Sequence, residues 1–132
     1  MPLVLDASVV INWHFPDERN AQSALILKKL RSDEGVVPSQ WWFEIRNVLL
    51  LGERRGRTSM EDTAKFLNFL HELPISVALL PDEVAVLELA RRHELTFYDA
   101  AYLELAQREN YTLATFDHDL IAAAKAEGVT LA

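Results

Sequence analysis

Four carboxylates stand out for where they fall in the chain. Asp6 follows the apolar run LVL, and Asp117 follows YTLATF. Asp99 stands near the start of LTFYDAAYLELA, and Glu44 sits inside SQWWFEIRNVLLLGERRG. There is no cysteine, and no histidine is committed to the set. If they converge, oxygen-only donors of this kind favour Mg2+ or Mn2+ over Zn2+. Two like charges about 5 Å apart repel by roughly 3 kcal/mol at an effective dielectric of 20. A converging set is therefore tolerable only when it is partly protonated or binds cations. Such cations activate water and stabilise phosphate oxygens in an in-line displacement, which is the chemistry of phosphodiester hydrolysis.

Each acid also has a local explanation. Asp6 can cap a helix starting near Ser8, and Asp117 can cap the last helix. Thr96 and Asp99 match a capping box, and Glu44 can be a solvated surface acid. Taken together these explanations are less persuasive. Asp6 lies between LVL and ASVVINW, and Asp99 lies among Phe97, Tyr98 and Ala100. Carboxylates in apolar settings need partners. Asp99 can serve in both ways, because a helix N-terminus favours the ionised acid that a metal needs.

The elements that must position these acids alternate in type. Five short runs rich in β-branched residues, at 2–6, 35–38, 75–80, 111–116 and 128–132, are bounded by Gly, Pro, Asp or Asn and read as strands. Between them lie longer segments of helical period. Gly35, Gly56 and Gly128 follow three of these as C′ residues, and Ser39, Thr58 and Asp82 precede three as caps. This alternation predicts an α/β fold, a single domain over 1–132, with a mostly parallel five-stranded sheet covered on both faces. In such a sheet, ligand sites form at the carboxyl ends of strands where strand order reverses. If the first and fourth strands are neighbours, Asp6 and Asp117 face the same crevice. Glu44 and Asp99, early in helices, can point into it. At 100° per residue, Trp41, Ile45, Val48 and Gly52 share one helical face and Glu44 lies on its flank. Phe43 and Leu50 fall nearly opposite Trp41, so this helix is apolar on two sides.

Composition sets the bounds. Half the residues are hydrophobic, enough for a core. The lack of cysteine excludes disulfides and thiolate chemistry and suits a reducing, cytoplasmic setting. No basic-then-apolar leader and no run of roughly 20 apolar residues appears, so neither a signal peptide nor a membrane span is expected. The formal net charge is −7, so any nucleic-acid binding must use a local basic patch. Arg54, Arg55 and Arg57 form one candidate, against the plainer reading of a solvated helix end. Trp13, Trp41 and Trp42 read as packing residues before base-stacking ones, and His14 and His118 are assigned no role as a base.

In this order, LDASVVINW, EIRNVL, FYDAAYLELA and LATFDHDL resemble the four acidic motifs of the PIN-domain nucleases. The YDAAYLELA block is most similar to the VapC-type toxins of toxin–antitoxin pairs. The resemblance covers nearly the whole chain. It implies a three-layer α/β/α fold and a divalent-metal-dependent endoribonuclease using Mg2+ or Mn2+. It also implies RNA as substrate, homodimerisation and neutralisation by a cognate antitoxin. Carried across, Asp6, Glu44, Asp99 and Asp117 are the metal-binding acids. Ser8, Asn47 and Thr115 occupy polar supporting positions, and Asp119 is an extra acid that reads as a cap or surface residue. A receiver-like phosphoacceptor would need an earlier acidic pair and a late lysine, and a haloacid-dehalogenase-like phosphatase an Asp where Ser8 stands. A non-catalytic binding module would tolerate the loss of an acid, and none is missing.

Overall fold

The computed structural model describes all residues, 1–132. The elements run β1 (Leu3–Leu5), α1 (Ala7–Asn12), α2 (Ala21–Lys29), β2 (Gly35–Val37), α3 (Gln40–Arg54) and α4 (Met60–Glu72). They continue β3 (Ile75–Val77), α5 (Glu83–His93), α6 (Phe97–Glu109), β4 (Thr112–Ala114) and α7 (His118–Ala126). The strands form one sheet in the order β3-β2-β1-β4, and every pairing is parallel. β1 is flanked by β2 on one side and β4 on the other, so strand order reverses between β1 and β4. The crossovers from β1 to β2 and β2 to β3 carry α1 to α4, and the return from β3 to β4 carries α5 and α6. The packing divides accordingly: α1 lies against α2 and α3, whereas α6 lies against β1, β4, α5 and α7.

The sheet has four strands rather than the five expected. The segment at 128–132 contributes a single bridge, Leu113 with Leu131. The helix ending before it uses up the chain. Gly128 at φ 73° donates to Lys125 O, and Val129 N–H turns back to Ala124 O. This closing motif leaves only Thr130 to Ala132 alongside β4. Some caps also differ from expectation. Gly56 closes α3 at φ 72°, as expected. Gly35 instead lies in β2, where a Cβ would come 2.7 Å from Leu5 Cδ1. Helix α4 is capped by Ser59, which accepts from Asp62 N, while Thr58 pairs with His14 at 2.8 Å. Ser39 makes no capping bond, but Asp82 caps α5 through Ala85 N.

The core runs through β1, α1, α3 and α6. Val4, Leu5, Val9, Ile45, Leu49, Tyr102 and Leu103 are all fully enclosed. Trp41, Ile45, Leu49 and Gly52 form the buried stripe of α3, and Phe43 and Leu50 stay exposed on its far side. No helix is long and apolar enough to cross a membrane.

Candidate functional site

The reversal between β1 and β4 brings Asp6 and Asp117 to the same edge of the sheet. Leu5 is in register with Ala114, and Asp6 N–H donates to Ala114 O at 3.0 Å. Asp6 occupies the cap position of α1, yet its side chain makes no capping bond. Its Oδ2 accepts instead from Ser8 Oγ at 2.8 Å and Thr115 Oγ1 at 2.6 Å. Both hydroxyls also accept from the loop after β4: Ser8 Oγ from Phe116 N at 3.2 Å, and Thr115 Oγ1 from Asp117 N at 3.1 Å. A buried carboxylate and the β4–α7 loop are thereby fixed to one another.

The other acids arrive on helix N-termini. Asp117 does cap α7, with Oδ1 accepting from Leu120 N at 2.8 Å. Thr96 caps α6 by accepting from Asp99 N at 3.1 Å. The return bond of a capping box is absent, and the Asp99 carboxylate has no partner beyond a contact with Thr96. Glu44, early in α3, accepts at Oε1 from Tyr102 OH at 2.9 Å. Gln40 Nε2 donates to Tyr98 O at 2.9 Å, so the starts of α3 and α6 are joined beside the acids.

Electrostatics bind these side chains into one neighbourhood. Burial pushes the Asp6 carboxyl above its ordinary value against the Thr115 and Ser8 bonds, and Asp117 adds to the rise. Burial likewise raises Glu44 against its Tyr102 bond, with Asp6 and Asp99 contributing. Asp99 is raised by burial, then by Asp117 and Asp6, with the Thr96 contact opposing and Asp119 adding. Burial and like charge raise Asp99 even though it stands at the α6 N-terminus, which favours the ionised form. The Tyr102 hydroxyl is driven upward by burial and by Glu44, so it remains a donor. No lysine or arginine acts on Asp6, Glu44 or Asp99.

In this conformation the acids do not close into a group of three or more able to grip an ion. The donor chemistry nonetheless fits a hard divalent cation. It is all oxygen and mutually repelling, and no cationic side chain is paired with it, the nearby Arg46 guanidinium lying over Trp42 instead. Asn47 and Asp119 are exposed at the margin, and Asp119 reaches the group only through its charge on Asp99. Arg54 and Arg55 are exposed at the opposite end of α3 from Glu44. Arg57 lies outside the site, with its guanidinium bound to Asp17 at 3.1 Å and Glu18 at 3.2 Å and stacked over Phe15. Trp13 and Trp41 are buried, and Trp42 is exposed under the Arg46 guanidinium. The residue that sequence reasoning passed over is Tyr102. Its signal was available: a tyrosine inside a mostly apolar helical stretch must find a partner for its hydroxyl when buried.

Comparison with known proteins bears on the family and the fold. The PIN domain family matches residues 3–126. Ribonuclease VapC3 of Pyrobaculum aerophilum is 29% identical over 126 residues, which is 91% of this chain and 92% of that protein. A crystal structure from the same organism superposes with a TM-score of 0.72 at 25% identity, covering 93% of this chain and 87% of the other. The fold also matches VapBC2 of Rickettsia felis, solved bound to a fragment of its promoter DNA. That likeness has a TM-score of 0.70 at 14% identity, covering 100% of this chain and 98% of that one.

Proposed function

Since the chain belongs to the PIN-domain family, we propose that it is a divalent-metal-dependent endoribonuclease acting as the toxin of a type II toxin–antitoxin pair in the cytoplasm. The similarity to a named ribonuclease over nine-tenths of both chains supports the substrate class. The observation that carries the reaction class is the cleft itself: carboxylates that raise one another's pKa, with no cationic side chain to neutralise them. Asp6, Glu44, Asp99 and Asp117 would hold Mg2+ or Mn2+. Such an ion, when bound, supplies positive charge at phosphate oxygens and lowers the pKa of water. The chain's own part is placement. Ser8 and Thr115 fix Asp6 by one oxygen, Leu120 N–H fixes Asp117, and Tyr102 fixes Glu44. Purified protein should cleave RNA in Mg2+ or Mn2+ and stop when EDTA is added. Undiminished cleavage in EDTA overturns the metal dependence.

The same reading includes a homodimer and an inhibitory protein partner. On α3, Trp42, Phe43 and Leu50 are 46%, 68% and 47% exposed, an apolar face that the domain's own core leaves uncovered. Burying charges there without partners is costly, so Phe43→Asp with Leu50→Asp should yield monomers by light scattering. A folded double variant that stays dimeric removes α3 from the interface. The −7 charge suits an antitoxin that offers Arg or Lys to the acidic cleft, relieving its repulsion without supplying the ion's chemistry.

A further inference from the structure

Helix α6 carries two residues that bear on the cleft. Asp99 and Tyr102 are three positions apart, so they share a face. Asp99 contributes its own carboxylate, whereas Tyr102 acts on a carboxylate from another helix. Its ring is 0% exposed and locked in the core, and its hydroxyl donates to Glu44 Oε1 at 2.9 Å. That is the one hydrogen bond the Glu44 carboxylate receives. Glu44 needs such a hold more than the other acids do. It is the longest of them, with three side-chain torsions, and it sits half-buried at the margin of α3 beside exposed Asn47. Asp6 and Asp99 both act on it as like charges. Unrestrained, that repulsion would turn the side chain outward to solvent, where its charge is better hydrated.

We infer that Tyr102 is a positioning residue: it tethers Glu44 inside the cleft against the repulsion of Asp6 and Asp99, binding Oε1 and leaving Oε2 for a cation. The inference rests on the reading of Glu44 as a metal-site carboxylate. A tyrosine suits the task because its rigid ring spans from the core to the site and its hydroxyl is a neutral donor. It holds the glutamate without cancelling the negative charge, as a lysine or arginine would.

Tyr102→Phe removes the hydroxyl and keeps the ring. Crystal structures of wild type and variant, both free of metal, read the tether directly. The Glu44 carboxylate should stay within hydrogen-bonding reach of Tyr102 in the first and turn out of the cleft in the second. Mn2+ titration by calorimetry should show affinity falling about 10- to 100-fold, the usual effect of losing a residue that orients a ligand. The same substitution in a Glu44→Ala background should cost nothing further. Three results overturn the inference: a Glu44 that keeps its place in Tyr102→Phe, an unchanged Mn2+ affinity, or an equal loss in the Glu44→Ala background. A wild-type protein that takes up no Mn2+ would sink the metal reading of the cleft instead, and the two crystal structures would still decide the tether.

Discussion

Four carboxylates at one end of the helices and one at the other are handled in opposite ways. At the carboxyl edge of the sheet, Asp6, Glu44, Asp99 and Asp117 stand at or near helix N-termini, and none of them is in a salt bridge. At the other edge, Glu127 closes α7 and is surrounded by donors: His93 at 2.6 Å, Arg92 at 2.7 Å and Gln107 at 3.2 Å. The consequence is a carboxyl pulled down to about 2, by His93 first and then Arg92. Basic residues also crowd the last turns of the helices: Lys28 and Lys29, Arg54, Arg91 and Arg92, Arg108, and Lys125. Helix dipoles favour that segregation of charge at both edges. They do not require a cleft emptied of cations. A fold seeking stability alone would pair the buried acids as it pairs Glu127, and the difference marks the cleft as a place kept for a charge from outside.

Swapping the two ends' fates in one experiment gives the largest effect. Asp99→Asn should lower RNA cleavage by on the order of a thousand-fold, since a Lewis-acid site supplies several kcal/mol and each 1.36 kcal/mol is tenfold in rate. Its melting temperature without metal should not fall, because burial and the like charges of Asp117 and Asp6 outweigh the Thr96 contact on the lost carboxylate. Glu127→Gln should do the reverse and leave cleavage unchanged. Wild-type cleavage by Asp99→Asn, or lost cleavage in Glu127→Gln, would erase the contrast.

Next in size is the response to the ion. Mn2+ at about 100 times its dissociation constant should stabilise the protein by roughly 2.7 kcal/mol through mass action. Calorimetric melting with and without the ion measures it. The shift should survive Glu127→Gln and vanish when Asp6, Asp99 and Asp117 become Asn and Glu44 becomes Gln. An equal shift in that quadruple variant would place the ion elsewhere.

How much of this contrast the sequence carries depends on distance along the chain. The cleft was legible because its acids follow local signals: strand ends, helix starts and one helical angle. The neighbouring of β1 and β4 was only a condition of that reading, and the sheet meets it. The angular reading of α3 placed Trp41, Ile45 and Gly52 inward and Phe43 and Leu50 outward, as they lie, and missed only Leu49 for Val48. What stayed hidden is nonlocal. Glu127 meets His93 across 34 positions, Arg57 meets Asp17 across 40, and Tyr102 meets Glu44 across 58. The fifth strand failed for the opposite reason, a helix-closing motif that outcompetes β pairing over a few residues.

A smaller effect separates the two ends by pH. Glu127→Gln should cost about 1–2 kcal/mol at neutral pH, because Arg92 is half-exposed and solvent screens the pair. Glu127 has a depressed folded pKa, so its contribution is full above its ordinary value of 4.5 and is lost as pH falls toward about 2. Asp99 has a raised folded pKa, so stability is highest below its ordinary 3.8 and falls as pH climbs through the folded value. In EDTA, both variants should diverge from wild type as pH rises, Glu127→Gln toward lower melting temperature and Asp99→Asn toward higher. Divergence in one direction would mean that the two ends are not electrostatic opposites.

The smallest effect asks whether the basic helix ends do more than offset dipoles. Arg54 and Arg55 are exposed and make no ion pair, about 15 Å along α3 from Glu44 at 1.5 Å per residue. A single strand seated in the cleft could reach them within a few nucleotides. Arg57 differs, since Asp17 and Glu18 already hold its guanidinium. Each arginine that meets a phosphate adds about 0.7 to the slope of log affinity against log salt for a single strand. Arg54→Ala with Arg55→Ala should therefore flatten the slope by about 1.4 in RNA binding to the Asp99→Asn protein, which does not consume its substrate. Arg57→Ala should leave the slope where it was. If the first pair changes nothing, these arginines belong with Lys28 and Lys125 as charges that only complete helix ends. If Arg57→Ala flattens the slope instead, RNA must break the Asp17 and Glu18 pairs to bind, and the basic end would join the cleft as part of the substrate path.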